Sequence, residues 1–442
     1  MTGLWVPFHF VSGDRPRTVK TVKITRWMSI VLLAIATIAC HDAAPPPAPA
    51  DNVPAPSRAV GAPGTFRNDI AFLETHTEVI VLSSDDGRAQ IAVTPGYQGR
   101  VMTSTASGPD GASYGYIHRP VIEEGKRQPH MTVVGGEDRF WLGPEGGPYA
   151  LYFAPGTAFD TEHWQVPEAI DWGGWPVAKQ TAGEVSFSRP MSLTNYAGSK
   201  FDLRVDRTVR LLTRADVTRY LGHDPGDVDV VAYESDNVIT NTGTAEWSPG
   251  SGLVSIWILG MLRPGPRTTV VVPYRPGPES TLGPVVNDAY FGAQPPDRMR
   301  VGKTAVFFRG DGTRRGKIGL ARPRVRDVAG SYDPDRRLLT LVQFTLPDAP
   351  NGYVNSMWAR QDQPYRGDVI NSYNDGPLGP GQPPLGPFYE IESSSPAAAL
   401  APGSSMRHVH RTVHLQGSGA ALDAISKVVL GVSLDDIATS LP

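Results

Sequence analysis

The chain has 442 residues but only one cysteine, Cys40, so no disulfide can form within it. It also lacks a basic excess, because 41 lysine and arginine residues stand against 44 aspartate and glutamate residues and the formal net charge is −3. No P-loop, G-x-S-x-G elbow, EF-hand loop or dinucleotide fingerprint occurs in the sequence. Nucleic acid is therefore not expected as a partner, and no short motif assigns a nucleotide-dependent or hydrolytic reaction.

The apolar run near the N-terminus, residues 28–39, is too short to cross a bilayer as a helix. It follows several basic residues, as the apolar region of a secretory signal does, and it stops at Cys40. Thr37 to Cys40 resemble the lipobox of bacterial lipoproteins, in which signal peptidase cuts before a lipid-bearing cysteine. We expect residues 1–40 to be a lipoprotein signal peptide with Cys40 as the lipidation site. An ordinary secretory signal with an incidental cysteine is the alternative.

Residues 41–65 are rich in proline and alanine and cannot bury enough apolar surface to fold, so we expect a tether. His41 follows the cysteine, where some lipoproteins carry the aspartate that retains them in the inner membrane. The expected location is a bacterial cell envelope, facing the periplasm or at the outer membrane, with the lipid at Cys40 as the membrane contact. Removal of residues 1–39 takes away five basic residues and one acidic residue, which changes the net charge from −3 to −7.

The rest of the sequence is typical of an antiparallel all-β protein. Its 47 glycines and 42 prolines are spread between short runs of valine, threonine and aromatic residues, which predicts many short strands and turns. Helical spacing is clear only at residues 214–221 and in the tail, at residues 420–430 and 434–437. Neither a βαβ rhythm nor a long repeat is visible. We predict one domain over residues 66–442 with a C-terminal helix.

The stretch His130 to Gly147 combines glycine pairs, charged residues and aromatic residues, which is typical of the floor of a binding site. Gly135 and Gly136 permit positive φ or close backbone approach. The alternative interpretation is a strand whose Phe140 and Leu142 face the core, while Arg139 pairs with a carboxylate.

Sugar sites need aromatic faces for stacking and polar side chains for hydroxyl groups. The candidate platforms are the tryptophans, each of which could equally serve core packing: Trp141, Trp164, Trp172, Trp175 and Trp358. The candidate polar contacts are Arg100, Arg139, Glu145, Asn374 and Asp375. The last two lie in residues 355–377, which are rich in asparagine, glutamine and aspartate beside aromatic residues.

Four segments resemble the galactose mutarotase-like, aldose 1-epimerase-related superfamily, and in particular a family of uncharacterised bacterial lipoproteins within it. They are residues 93–105, 133–147, 237–247 and 389–405. The resemblance covers residues 66–442 and implies a large antiparallel β-supersandwich with a few short helices and a groove that binds sugars.

In aldose epimerases a histidine protonates the ring oxygen and a glutamate near the C-terminus removes the anomeric proton. The strand that would carry this histidine, Ser255 to Met261, contains none. The glutamate corresponds to Glu390 or Glu392, which share one strand face, and His130 is the candidate acid. Two functions stay open: an enzyme acting on carbohydrate by epimerase, hydrolase or lyase chemistry, or a non-catalytic glycan-binding protein.

Two cation sites are conceivable, although no cofactor is expected. His408, His410 and His414 share one face of a strand, which suits a transition metal, but a solvated or groove-lining polar face is the simpler interpretation. Asn374 and Asp375, together with Glu390, carry oxygen atoms that suit calcium.

The supersandwich also predicts a long-range contact. Its early and late strands lie on neighbouring parts of one sheet, and a buried guanidinium needs a carboxylate partner. We therefore expect Arg139 and Glu390 to meet in one groove although they are far apart in the sequence.

Overall fold

A computed structural model describes residues 64–379 and 381–442. The predicted signal peptide, Cys40 and all but the last two residues of the predicted tether lie outside the described residues. The described chain forms the following strands: β1 Ile80–Ser83, β2 Gln90–Thr94, β3 Arg100–Thr105, β4 Arg139–Gly143, β5 Val177–Gln180, β6 Glu184–Thr194, β7 Lys200–Leu211, β8 Asp229–Asn241, β9 Ser255–Leu262, β10 Thr269–Pro273, β11 Met299–Val301, β12 Ala305–Arg309, β13 Gly316–Ala321, β14 Val328–Asp333, β15 Leu338–Phe344, β16 Asp368–Asn374, β17 Tyr389–Ser394 and β18 Ser405–Gln416. The helices are α1 Phe66–Glu74, α2 Arg119–Glu124, α3 Glu168–Asp171, α4 Arg214–Leu221, α5 Glu279–Leu282, α6 Gly419–Val429 and α7 Leu434–Ala438.

The strands form three antiparallel sheets, which confirms the all-β prediction. The largest sheet has ten strands in the order β11-β12-β10-β14-β15-β18-β8-β7-β6-β5, the second has five in the order β13-β16-β17-β9-β4, and the third is β1-β2-β3. The ten-stranded and five-stranded sheets face each other, because Ser393 on β17 accepts or donates hydrogen bonds at 2.8 Å with His408 and His410 on β18. The fold is a large β-sandwich with a few short helices.

Alternation of residue types explains how the long strands bury one face. In β7 the side chains of Phe201, Leu203 and Val205 are buried, whereas the charged residues between them are exposed or half-buried. Side chains with this period of two point to opposite faces of a strand. The apolar face of β7 therefore packs into the sandwich.

Helices α4, α6 and α7 follow the sequence signals closely. Helix α4 covers the residues predicted from helical spacing; Thr213 caps its first turn and Gly222 ends it in the left-handed conformation. Leu422 and Ile425 of α6 pack on Val413 and Leu415 of β18, so α6 covers the outer face of the ten-stranded sheet. Every helix in the described ranges is too short or too polar to cross a bilayer.

The prediction that the histidines of β18 form a solvated or groove-lining face is wrong. His408, His410 and His414 do share one face of β18, but they are buried between the sheets. His414 Nε2 lies 3.0 Å from Glu137 Oε2, and the other two share the Ser393 hydroxyl. The reason is the position of β18 in the middle of the ten-stranded sheet, with α6 on one side and the five-stranded sheet on the other.

The stretch from His130 to Gly147 divides between the two sides of the five-stranded sheet. Phe140 and Leu142 join the core of the sandwich, as the alternative interpretation holds. Gly135 and Gly136 have positive φ, and a Cβ atom on Gly135 would lie 2.0 Å from the carbonyl oxygen of Tyr116. This close approach, which the sequence predicts, sets the entry into β4.

Candidate functional site

The candidate site is a cleft on the outer face of the five-stranded sheet. The register aligns Arg139 of β4 with Leu259 of β9 and Glu392 of β17, and aligns Met261 with Glu390 in the next row. Because alternate side chains point the same way, these rows project from one face, opposite to the face that packs on the ten-stranded sheet. The cleft is therefore built on strands, which hold side chains more rigidly than loops.

Segments from several loops close over this sheet face. The residues that line the cleft are Met131, Arg139, Trp141, Glu145, Thr161, Trp164, Trp257, Leu259, Met261, Phe291, Arg315, Lys317, Trp358, Tyr373, Leu378, Leu385, Phe388 and Glu390. The free space among them is about 60 Å³, enough for a few water molecules at roughly 10–15 Å³ each.

Arg139 and Glu390 meet in this cleft, as predicted. Arg139 Nη2 donates to Glu390 Oε1 at 2.8 Å, and the two side chains are only 3% and 6% exposed. The guanidinium carbon also lies 4.0 Å from the centroid of the Trp141 ring. The ion pair and the aromatic contact together fix the orientation of the guanidinium plane.

A second ion pair lies beside the first. Lys317 Nζ is 2.9 Å from Glu392 Oε2, which also accepts a hydrogen bond from Trp257 Nε1 at 3.0 Å. Burial by itself lowers the pKa of Lys317, but the attraction of Glu392 and Glu145 outweighs burial and raises it. Lys317 is therefore a fixed cation, and Glu392 serves as its counter-ion at the floor of the cleft.

The protonation of Glu390 differs from that of an ordinary carboxyl group. Burial raises the pKa of Glu390 to about 7; the charge of Arg139 opposes this rise and the charge of Glu392 adds to it. Such a group exchanges its proton near neutral pH, which is what general acid and base catalysis needs.

This raised pKa predicts a pH-dependent stability. Between pH 4.5 and about 7 the folded protein holds the Glu390 proton while the unfolded chain releases it, so the free energy of unfolding falls as pH rises. At 1.36 kcal/mol for each pKa unit, the contribution is on the order of 3 kcal/mol. We expect urea unfolding of the wild type at pH 5, 6 and 7 to show this decline relative to Glu390→Gln. The exposed control Glu162→Gln should show the same decline as the wild type. If the free energies of unfolding of the wild type and Glu390→Gln changed with pH in parallel, the raised pKa of Glu390 would be contradicted.

Glu145 lines the cleft two residues after the end of β4. Its backbone N–H donates to Ser356 Oγ at 3.1 Å, and its side chain is buried. Burial raises the pKa of the Glu145 carboxyl, although the charge of Lys317 opposes the rise. The cleft thus holds two carboxyl groups, Glu145 and Glu390, that favour the protonated form more than ordinary glutamates do.

Aromatic rings form much of the cleft wall. Trp164 and Trp358 stack with ring centroids 5.6 Å apart and an interplanar angle of 30°. Trp141 packs against Trp257 at 5.6 Å. Of the other proposed platforms, Trp175 packs on Phe140 in the core and Trp172 ends α3, so neither lines the cleft. The remaining rings place apolar surface beside the charged groups of the cleft.

Four other candidates lie outside the cleft lining. Arg100 is buried and donates to Gly135 O and Gln98 Oε1, and His130 Nδ1 contacts Trp164 O at 2.6 Å. The carboxylate of Asp375 accepts from the Tyr373 hydroxyl and from the Gly386 amide; Asn374 accepts from the Gly312 amide. The structure brings together Arg139, Trp141, Glu145, Trp358 and Glu390, with Glu392 behind them.

The oxygen atoms proposed for calcium are engaged within the protein. Glu390 pairs with Arg139, and the side-chain oxygens of Asn374 and Asp375 accept backbone or hydroxyl donors. Over residues 64–379 and 381–442, no group of three or more histidine, cysteine, aspartate or glutamate side chains has metal-binding geometry.

The sequence interpretation missed several contributors to the cleft, among them Trp257, Phe291, Arg315 and Lys317. Trp257 shares parity with Leu259 and Met261 on β9, so the strand pattern could have identified it. Lys317 carried no such signal because β13 is buried on both faces, and Phe291 and Arg315 lie in irregular segments.

A family model described as a family of unknown function (DUF6786) matches residues 64–441. No curated protein matches the sequence. Similar solved structures include the Slr1438 protein from Synechocystis sp. PCC 6803, at 13% identity and a TM-score of 0.45, covering 77% of this chain and 96% of that chain. A galactose mutarotase-like protein from Lactobacillus casei shares 10% identity at a TM-score of 0.41, with coverage of 77% and 100%. A galactose mutarotase related enzyme from Lactobacillus acidophilus shares 9% identity at a TM-score of 0.42, with coverage of 77% and 98%. Two of these three neighbours are described as galactose mutarotase-like or galactose mutarotase related, and identities this low transfer no function.

Proposed function

The chain belongs to the DUF6786 family, and we propose that it is a carbohydrate-binding protein whose cleft acts on the bound sugar by proton transfer at Glu390. The observation that carries this proposal is the environment of Glu390: a buried carboxyl with a pKa of about 7 stands in an aromatic cleft, held by Arg139. Epimerase, hydrolase and lyase reactions all need such a group.

The composition of the wall supports carbohydrate as the ligand. Trp164 and Trp358 supply apolar ring faces, while Arg139 and Lys317 supply donors for hydroxyl groups. Apolar surface combined with a few fixed polar groups is typical of small-ligand sites. The hydroxyl groups and C–H faces of a sugar match both kinds of surface.

The proton-transfer step needs an acid and a base in different environments. Glu390 is hydrogen-bonded to a guanidinium, which stabilises its charged form, so it is the base. Glu145 lines the same cleft and burial raises its pKa, so we assign it the role of the acid. This division assigns no role in the chemistry to His130, which lies outside the lining.

Non-catalytic glycan binding is the second candidate. It is favoured by β9, whose cleft-facing residues are Trp257, Leu259 and Met261, with no histidine at the place where the resemblance puts the acid. The pairing of Glu392 with Lys317 also favours it, because this carboxylate serves as a counter-ion at the floor of the cleft and leaves fewer groups for proton transfer.

A glycan array, followed by analysis of the recovered ligands, separates the two candidates. Cleavage changes the mass of a bound glycan, whereas mutarotation leaves the mass unchanged and is detected by NMR as faster exchange between anomers. We expect binding with turnover, and we expect Glu162→Gln to behave as the wild type. Binding with neither signal supports the non-catalytic candidate, and a failure to bind any glycan contradicts both.

We further propose that the protein is anchored in the bacterial envelope through lipid at Cys40. The support is the signal-like segment that ends at this cysteine and the proline-rich stretch after it. We expect a palmitate analogue to label the wild type but not Cys40→Ala when both are expressed in bacteria. Equal labelling of the two proteins would remove the anchor from this proposal.

A further inference from the structure

Each cation of the cleft except one has its own carboxylate. Arg139 pairs with Glu390 and Lys317 pairs with Glu392. Arg315, which also lines the cleft, forms no ion pair within the described ranges, and its buried Nε atom has no hydrogen-bond partner there. Several other lining side chains, among them Arg139 and Trp141, also have a buried N–H group without a partner, so the lack of a carboxylate is what distinguishes Arg315 from the other cations of the lining.

The orientation of Arg315 is fixed although it lacks an ionic partner. Its guanidinium carbon lies 3.7 Å from the centroid of the Phe291 ring. A guanidinium stacked on an aromatic face keeps its edge free for a planar acceptor. Arg315 immediately precedes the first residue of β13, Gly316, which is paired with Asn374 of β16, so the sheet limits where the Arg315 backbone can lie.

Glu145 is the remaining carboxyl among the described residues that line the cleft, and it forms no salt bridge with Arg315. Burial raises the pKa of Glu145, although the charges of Lys317 and Arg315 oppose the rise. Arg315 is therefore the one cation among these lining residues without a carboxylate in direct contact.

We propose that the cleft binds an acidic sugar, a hexuronate residue whose carboxylate pairs with the guanidinium edge of Arg315. This inference rests on the proposed carbohydrate function and specifies its ligand class. A carboxylate accepts two parallel hydrogen bonds from one guanidinium, and its single negative charge matches the single unpaired cation.

A sugar phosphate fits the charges less well. A phosphate monoester carries about −1.5 to −2 charges at neutral pH. One arginine would leave part of this charge unbalanced, because the other cations of the cleft are already paired with Glu390 and Glu392. The shared chemistry is an oxyanion on a sugar, and the charge count favours the carboxylate.

Calorimetric titration with four ligand sets tests the inference: oligogalacturonates, oligoglucuronates, neutral oligosaccharides of the same length, and hexose 6-phosphates. We expect the wild type to bind one of the uronates about tenfold more tightly than its neutral counterpart, a difference of about 1.4 kcal/mol. Arg315→Gln should lose this preference but keep the neutral affinity. Arg314→Gln, an exposed neighbour, is the matched control and should keep the preference. Arg315→Lys keeps the charge without the planar edge and should retain part of it, which provides a second variant if Arg315→Gln fails to fold.

Equal affinity for uronate and neutral ligands would overturn this inference and leave the proposed function standing. A preference for uronate that survives Arg315→Gln would show that another group recognises the acid. Tighter binding of hexose 6-phosphate would overturn the choice of carboxylate. No binding of any sugar would overturn the proposed function and this inference together.

Discussion

Glu390→Ala is expected to lower the free energy of unfolding by about 3 to 5 kcal/mol at pH 8, because it leaves the Arg139 guanidinium buried without its carboxylate. The two groups are 2.8 Å apart and almost fully enclosed, so water cannot replace the lost acceptor without entering the cleft. Glu390→Gln should cost much less, since the amide oxygen still accepts from Arg139 Nη2. Equilibrium urea unfolding measures both.

A double-mutant cycle shows whether this cost belongs to the pair. When Arg139→Ala is already present, removal of the Glu390 side chain no longer strands a charge, so the double mutant should be more stable than the sum of the single losses predicts. We expect a coupling free energy above about 1 kcal/mol, as found for residues in direct contact. Additive losses would show that the ion pair does not form in solution.

The second large effect concerns turnover. Glu390→Gln keeps the volume and one hydrogen bond to Arg139 but cannot take up or release a proton, so turnover of the best glycan should fall by about 10²- to 10⁴-fold. Its affinity should change only a few-fold, because the aromatic wall and Lys317 are untouched. Steady-state kinetics and calorimetry on the same preparations measure the two quantities.

Glu162→Gln is the matched control for this experiment, since Glu162 is exposed next to Thr161 at the edge of the cleft. It should leave both turnover and affinity unchanged. Retention of full turnover by Glu390→Gln would move the chemistry to another group, with Glu145 the first to be examined.

Local sequence signals predicted the local structure well. The range of α4, the positive φ values of Gly135 and Gly136, and the alternation in β7 each depend on neighbouring residues, so a single sequence contains the information. The contact between Arg139 and Glu390 is different. It followed from the supersandwich implied by the resemblance, together with the rule that a buried guanidinium needs a partner.

The remainder depended on how the sheets pack. Parity placed His408, His410 and His414 on one face, but it could not show that a second sheet covers that face while α6 covers the other. Lys317 could not be predicted for the same reason. Its strand, β13, is buried on both sides, and the residues of β13 show no alternation between polar and apolar types. Whether another sheet or helix covers a strand face depends on tertiary packing, and a local sequence pattern does not contain this information.

The central claim is that sugar binds in the cleft between the Trp164–Trp358 stack and the Arg139–Glu390 pair. A crystal structure of the protein with the tightest-binding oligosaccharide tests it directly. We predict a sugar ring stacked on Trp164 or Trp358, with a hydroxyl group or ring oxygen within hydrogen-bond reach of Glu390. A sugar bound elsewhere, such as in the groove beside Arg88 and Arg214, with the cleft unchanged, would contradict the claim.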